Sequence, residues 1–478
     1  MRVQRGRLLS LLSGGLGLLA LALPASAEAH GIVGRADLPI PVWLFSWAAA
    51  IVLVVSFVAL STLWREPQLQ EQHARRLLRI PDPVEWLASL VGMALFVLVI
   101  YAGFAGAQVP NANLTVTFIY VIFWVGIPVA SVLFGDVFRA FSPWRTSARV
   151  LHGLMRALRG GRSRPPFVRY PARLGMWPSV ATIVGFAWLE LVYIPVDRER
   201  PSTLAVLSLA YFLVTLAGMT LCGVEEWGAQ ADGFGAYFNL LSRLSAIFRD
   251  EDGFLSVRRP LSGVTDLEIR PGTVALICTI IGTTTFDGFS NGGVWRNLEP
   301  EIGSLFSDLG FNQTPAQELA YSLGLVFCIC VIALVYRLGI AGVKSVGTRY
   351  DSRELTHAFA HTLVPIGFAY VLAHYFSLLL WQSQAMVYLA SDPLGNGANL
   401  FGTSSFQIDY HVISYAAIWY VQVAALLGGH VGGLMLAHDR ALVMYPDPEE
   451  AVRSQYWMLA VMVAFTSFGL WLLSSVGT

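Results

Sequence analysis

Four histidines near the C-terminus are the residues whose type and spacing are most suited to chemistry. His361 and His374 share one hydrophobic segment, and His411 and His430 share the next. Histidine within a stretch long enough to span a bilayer is costly, so it normally transfers protons, binds a metal or bonds a neighbouring helix. The spacing therefore predicts intramembrane sites that recruit histidines from two adjacent helices.

Acidic residues extend this set on the side of the membrane that we predict to be outer. This outer layer comprises Glu190, Asp287, His374, Asp409 and His411. A carboxylate some turns inside a span is expensive unless it is paired, hydrated or bound to a metal. Glu190, Asp287 and His374 are thus predicted to form a mixed nitrogen and oxygen site for a metal or a proton. The alternative is that Asp287 and His411 are loop-edge residues in water.

A second layer is predicted near the inner face, made of His357, His361, His430, Glu225 and Glu226. His357 and His361 are four residues apart and would lie on one face of a helix, a spacing that suits a transition metal if another ligand joins them. His430 lies among glycines that allow close helix packing. In the alternative interpretation, these histidines only bond backbone carbonyls of neighbouring helices.

The cofactor predicted from these ligands is a divalent transition metal, zinc or copper. Haem is a weaker prediction. His361 and His374 are separated by about 20 Å along a helix, and His411 and His430 by about 28 Å. The inner histidines match in depth and the outer ones do not, so the spacing disfavours a ladder of two haems and leaves haem open at one level.

The elements that must position these residues are membrane-spanning helices. The chain is 55% hydrophobic and 13% charged, and its apolar residues come in blocks of about twenty, the length that crosses a bilayer. The predicted fold is an all-α bundle of ten spans, at residues 42–64, 86–107, 114–135, 177–196, 203–224, 271–290, 317–336, 358–381, 411–437 and 455–476.

A cleavable signal peptide is predicted over residues 1–29. Arginines precede an apolar run from Leu8 to Leu23, and small residues follow it. Cleavage is possible after Ala27 or after Ala29. The second choice would leave His30 as the N-terminal residue, whose amine and imidazole can bind a metal together. Residues 30–478 then form a single integral membrane domain.

The basic residues predict the orientation of the spans. With the mature N-terminus outside, ten spans also leave the C-terminus outside. Beyond the signal, only Arg35, Arg198, Arg200 and Arg296 fall outside the predicted inner loops, which is the bias expected of cytoplasmic loops. Amphipathic cytoplasmic segments are predicted near residues 145–159 and 236–249. The zero net charge argues against nucleic acid as a partner, and the expected partners are the lipid bilayer and a small solute or ion.

Several stretches of the sequence resemble a known family. They are His30–Pro41, Phe141-Ser142-Pro143-Trp144-Arg145, Thr285-Phe286-Asp287-Gly288 and His374–Leu379. The chain resembles, over most of its length, a family of actinobacterial polytopic membrane proteins often labelled fenitrothion hydrolase. The resemblance implies a bacterial plasma membrane protein and, through the label, a metal-dependent hydrolase of organophosphate esters. It supplies no catalytic residues.

Two functions are therefore expected. In the first, the protein moves or handles a small solute or metal ion through polar layers on both sides of the membrane, coupled to protons. In the second, one outward site hydrolyses an ester with a metal-activated water, and the inner histidines are structural. The sequence has no Gly-x-Ser-x-Gly, Walker or His-Glu-x-x-His motif, so serine hydrolase, ATPase and zincin classes lack support.

Overall fold

The computed structural model describes residues 42–70, 74–162, 165–193, 195–346 and 349–475. The predicted signal peptide and His30 lie outside the described residues. Ten apolar helices coincide with the ten predicted spans. They are α1 (Val42–Leu63), α2 (Asp82–Ala105), α3 (Leu114–Phe134), α6 (Trp177–Leu191), α7 (Pro201–Cys222), α10 (Thr273–Ser290), α12 (Gln313–Lys344), α13 (Ser352–Gln382), α15 (Tyr415–Met444) and α17 (Tyr456–Ser475).

Among the described residues, eight of these helices are long and apolar enough to cross a membrane. The other two are α6, an apolar helix of 15 residues, and α17, an apolar helix of 20 residues. The remaining helices of five or more residues are α4 (Val137–Phe141), α5 (Pro143–Leu158), α8 (Val224–Gln230), α9 (Gly233–Ser242), α11 (Gly293–Asp308), α14 (Ala385–Ser391) and α16 (Pro448–Ser454). The prediction of an all-α polytopic bundle is confirmed.

One small sheet breaks the helical pattern on the side predicted to be cytoplasmic. Strands β1 (Arg75–Arg79), β2 (Ile247–Arg249) and β3 (Phe254–Val257) form an antiparallel sheet in the order β1-β3-β2. The sheet joins the loop after α1 to the loop after α9, so two segments far apart in sequence are tied together on this face.

The two amphipathic segments differ in the structure. Helix α5 covers the first, with Trp144 and Ala148 buried and Val150, Leu154 and Leu158 exposed along one side. The second, residues 236–249, is no surface helix: it consists of the buried end of α9 and the strand β2. Its apolar residues surround α9 on all sides, so the helix packs inside the protein.

Helices α13 and α15 form a close antiparallel pair because α15 carries small residues where they meet. A side-chain carbon added at Gly429 would lie 2.6 Å from the carbonyl oxygen of Pro365, and one at Gly433 would lie 2.8 Å from that of Thr362. Glycine at these positions lets the two backbones approach. The pair holds His361, His374 and His430, and α10 packs against α13.

Candidate functional site

The candidate site is built around Asp287, which lies in the last turn of α10. This helix is buried on nearly all sides, and the Asp287 side chain is 0% exposed. The preceding threonines offer it no bond, because Thr284 and Thr285 donate their hydroxyls to carbonyls of their own helix. The stabilisation of this carboxylate therefore comes mainly from neighbouring helices.

Two adjacent residues of α13 bind the carboxylate. The Tyr375 hydroxyl donates to Oδ2 of Asp287 at 2.7 Å, and the Nε2 of His374 donates to the same oxygen at 2.8 Å. The Asn291 amide lies 3.4 Å from Oδ1. Hydrogen bonds to a buried carboxylate are stronger than neutral ones, so this cluster of Asp287, His374 and Tyr375, the Asp287 cluster, links α10 firmly to α13.

The second ring nitrogen of His374 is free. Its Nδ1 makes no hydrogen bond with any described residue, and the side chain keeps 8% exposure. A carboxylate that accepts from one imidazole nitrogen orients the ring and fixes its tautomer. The arrangement leaves Nδ1 able to accept a proton or to bind a ligand.

Glu190 brings a second acid to this region. It lies at the end of α6, which packs against α10. Its charge is within electrostatic reach of the hydroxyls of Tyr120 and Tyr375, and its backbone carbonyl accepts a hydrogen bond from Arg198 at 2.8 Å. The structure thus brings Glu190 and Asp287 to the same neighbourhood as His374.

The other two residues of the predicted outer layer lie elsewhere. Helix α15 begins at Tyr415 rather than at residue 411, so Asp409 and His411 belong to the loop before it. Their side chains are 62% and 89% exposed. For His411 the structure matches the alternative of a loop-edge residue in water, and Asp409 lies in the same loop. The polar, turn-rich sequence before Tyr415 explains why the helix starts late.

The inner layer does not form one site in the structure. His357 is exposed and His361 is buried, and a 3-10 turn over Ala360–Thr362 follows the helical segment that holds His357. Glu225 is exposed, and its carboxylate accepts from Arg145 at 3.1 Å and from Arg139 at 3.3 Å.

Glu226 accepts a hydrogen bond from Gln230 at 2.8 Å, one turn along the same short helix. His430 is buried, and its Nδ1 donates to the carbonyl of Leu426 at 2.8 Å. Leu426 lies one turn earlier on the same helix, so this bond is not the one between helices that the structural interpretation of the inner histidines predicts. Only His361 and His430 of this layer are therefore buried within the bundle.

No group of three or more histidine, cysteine, aspartate or glutamate side chains in the described part of the chain is placed to hold a metal ion. The zinc or copper ion stays a prediction, as does haem. The chemistry visible in the Asp287 cluster is that of a carboxylate, an imidazole and a phenol, all groups that exchange protons.

Sequence reasoning missed the wall of the site on α3. Residues Phe118–Gly126 of this helix are π-helical and pack against α13. The Trp124 indole lies beside the Tyr375 hydroxyl, and its Nε1 has no hydrogen-bond partner among the described residues. Pro128 was the available signal: it has no amide hydrogen for the carbonyl of Trp124, so the helix widens before it.

Two further buried acids were also missed, and both are saturated by donors. Asp232 caps α9 and accepts from Trp144, Tyr211 and the amide of Gly235 at 2.6, 2.7 and 3.1 Å. Asp439, near the inner end of α15, binds the loop that follows α1. Its donors are the Trp64 indole, the backbone amides of Gln68 and Leu69, and the Gln70 side chain.

The chain matches no protein-family model, no curated protein and no solved structure. The functional argument therefore starts from the geometry of the Asp287 cluster.

Proposed function

We propose that this integral membrane protein handles or moves a small solute or a metal ion across the bacterial plasma membrane, coupled to protons, through the Asp287 cluster and Glu190. The observation that carries the proposal is the fully buried Asp287 carboxylate, held at 2.8 Å by His374 and at 2.7 Å by Tyr375 inside an apolar helix bundle. Ionisable residues within spans typically mark ion paths or proton relays.

The cluster can store a proton without leaving an unpaired charge. With Asp287 ionised, the Nε2–H of His374 and the hydroxyl of Tyr375 both stabilise the carboxylate. A proton that binds Nδ1 of His374 produces an imidazolium, whose charge is balanced by Asp287 at hydrogen-bond distance. Loss of that proton returns the site to the neutral imidazole and the carboxylate, which favour a cation or a polar solute.

The cluster lies at one end of the bundle rather than at its centre. Asp287 is three residues from the end of α10, and His374 is eight residues from the end of α13. Because the basic loops predict that both helices end outside, the site is expected to open to the outer side. Glu190, at the end of α6, lies at the same level and adds negative charge that attracts cations.

A second function is favoured by one observation, the free Nδ1 of His374. A histidine oriented by a carboxylate is a general base that can activate water. An ester bound at the outer face would then be hydrolysed, which agrees with the resemblance to the fenitrothion hydrolase family. If the protein is a hydrolase, the inner histidines His361 and His430 take no part in the chemistry. If it is a transporter, they lie on the path of the transported proton or ion.

Inner-layer variants separate the two functions. Purified protein in liposomes is given zinc or copper ions outside, while an internal pH dye reports coupled proton movement. In parallel, a nitrophenyl phosphotriester reports hydrolysis through release of nitrophenolate. We expect His361→Ala and His430→Ala to abolish the proton signal, and hydrolysis that survives in both would favour the enzyme. Full activity in a Glu190→Ala, Asp287→Ala, His374→Ala variant would contradict both functions.

A further inference from the structure

Apart from the indoles, four buried side chains along the pair of α13 and α15 carry polar atoms that have no hydrogen-bond partner among the described residues. They are His361 and Ser377 on α13, and Gln422 and His430 on α15. The unpartnered atoms are both Nε2 nitrogens, the serine hydroxyl and both atoms of the amide. A buried polar atom left without a partner costs about 1–3 kcal/mol, and internal water commonly supplies the missing bond.

The packing of the two helices places these residues in order of depth. Gly433 meets Thr362, and Gly429 meets Pro365 and Ala369. Gln422 precedes Gly429 by seven residues, which is two helical turns and about 10.5 Å. It therefore points towards α13 from the same side of α15.

Counting seven residues along α13 from Pro365 and Ala369, in the opposite chain direction to the count on α15, reaches the depth of His374 and Ser377. The Gln422 amide is thus at the depth of the Asp287 cluster. His430 follows Gly429 directly, and so it lies between His361 and Gln422 in depth. The four residues form a series from the inner side of the pair to the cluster.

The Nε2 of His430 needs a donor that no described residue provides. Its Nδ1 carries the hydrogen, because it donates to the carbonyl of Leu426, so its Nε2 is an acceptor. Tyr370 and Phe465 are the nearest rings, with centroids 6.1 and 6.0 Å away. The Tyr370 hydroxyl donates to the carbonyl of Phe465 instead. A water molecule beside Nε2 could donate the missing hydrogen bond to the His430 ring.

We propose that a chain of internal water molecules follows His361, His430, Gln422 and Ser377, here named the polar track, and carries protons between the inner side and the Asp287 cluster. This inference rests on the proposed function and specifies its proton path. The track from His361 to His374 is about 20 Å long, and with His430 and Gln422 between them each interval of about 7 Å needs one or two waters at about 2.8 Å spacing.

The proton balance along the track is simple. A proton that arrives from water binds Nε2 of a histidine, and the same atom releases it to the next water, because Nδ1 of His430 is occupied by a carbonyl. The Gln422 amide and the Ser377 hydroxyl order the waters without changing charge. Arg440 is the charged group within electrostatic reach of His361, so positive charge at the inner entrance opposes a proton that stays there.

Radiolytic labelling tests for the waters directly. Short X-ray exposure of the purified full-length protein generates hydroxyl radicals from bound water, and mass spectrometry finds the oxidised side chains. We expect oxidation of His430 and Tyr370 although both are buried. His438 is the matched control, because it is buried on the same helix and its Nε2 donates to the carbonyl of Trp64 at 2.9 Å. An unmodified His430 alongside an unmodified His438 would overturn the proposal.

Proton flux in liposomes tests what the waters do. We expect Gln422→Leu and His430→Phe to reduce flux at least tenfold. The melting temperature of Gln422→Leu should stay level or rise, because leucine replaces an amide that has no hydrogen-bond partner among the described residues. Ser377→Ala should also reduce proton flux. Ser89 is a buried serine remote from the track, so Ser89→Ala is the matched control and should leave the flux unchanged.

The results distinguish the polar track from the proposed function. Wild-type flux in Gln422→Leu and His430→Phe, together with a loss in Asp287→Asn, would overturn the track and leave the function standing. Wild-type flux in Asp287→Asn would instead contradict the function. In that case, oxidation of His430 would show only that water is present beside it, and the proposal that the polar track carries protons would also be contradicted.

Discussion

Three aspartates buried in this protein differ in what binds them, and the difference separates function from structure. Asp439 is bound by an indole, two backbone amides and a side-chain amide, none of which exchanges protons near neutral pH. Asp232 is a helix cap and is bound by an indole, a phenol and a backbone amide. Asp287 is bound by an imidazole and a phenol. Among these three described aspartates, Asp287 is therefore the one held by an imidazole, a group that commonly transfers protons in proteins.

Tyr375 should contribute to both stability and activity. Tyr375→Phe removes one donor to the Asp287 carboxylate and keeps the ring, so we expect a loss of about 1.5–3 kcal/mol in the free energy of unfolding and weaker proton coupling. Tyr388→Phe is the matched control, since its hydroxyl bonds a loop carbonyl in a more exposed setting. Equal stability of the two variants in reversible unfolding would contradict the assigned bond.

Glu225 should make a small, pH-dependent contribution at the inner surface. Burial raises the pKa of this carboxyl, but the hydrogen bond and charge of Arg145 and the charge of Arg139 outweigh it and hold the pKa below its ordinary value of 4.5. A lowered pKa stabilises the fold above the unfolded value, and the contribution disappears as the pH falls through the lower folded value.

The side chain is 68% exposed, so Glu225→Gln should cost only about 0.2–1 kcal/mol at neutral pH. Unfolding curves of the two proteins, recorded from neutral to acid pH, should converge at low pH. A difference that persists in acid would show that the ion pairs are not its cause.

At the scale of residues, polarity inside apolar stretches was enough to select Glu190, Asp287 and His374. It could not separate them from Asp409 and His411, because hydropathy does not fix where a helix begins to within a turn. Tyr375 and Trp124 escaped notice since aromatic residues are ordinary in spans, and only helix adjacency shows that one bonds Asp287 and the other lies beside it.

At the scale of elements, hydropathy predicted the spans well and their irregularities poorly. The ten predicted segments coincide with helices, because a bilayer demands about twenty apolar residues in sequence. The π-helical part of α3 and the 3-10 turn of α13 depend on which backbone carbonyls lose their usual hydrogen-bond donors. An average of hydropathy carries no information about these hydrogen bonds. Helix α11 (Gly293–Asp308) lies between the predicted spans 271–290 and 317–336, in a stretch rich in Gly, Asn, Ser and Pro whose composition predicts a loop.

Helix α5 should lie on the inner leaflet. Val150, Leu154 and Leu158 are exposed on one side, while Arg156, also exposed, lies among basic residues that attract anionic headgroups. Spin labels on Leu154→Cys and Arg156→Cys, in a background free of the native cysteines, should respond differently. We expect the first label to be relaxed by oxygen and the second by a water-soluble nickel chelate, and identical responses would contradict this placement.

The loop after α1 should depend on Asp439 for its position. Asp439→Ala leaves the Trp64 indole, the amides of Gln68 and Leu69 and the Gln70 side chain without their acceptor. We therefore expect the unfolding free energy to fall by about 3 kcal/mol or more and protease cleavage to appear near Gln68. Asp447→Ala, a change at an exposed helix cap, is the control. A loop that stays resistant would mean that other bonds hold it.

At the scale of the whole molecule, two faces of the bundle have different tasks. The face that we predict to be cytoplasmic combines arginine-rich loops, the small sheet and the Asp439 anchor, which tie distant segments together. The opposite face carries the Asp287 cluster, where bonds between α10 and α13 involve groups that titrate.

The proton flux of Asp287→Asn tests the account most directly. The variant keeps the size of the side chain and removes its charge, and Asp409→Asn makes the same change on an exposed residue of the same predicted layer. In liposomes that contain an internal pH dye, with zinc or copper ions added outside, the account predicts that Asp287→Asn abolishes coupled proton movement and that Asp409→Asn retains it. Equal proton flux in both variants and in the wild type would contradict it.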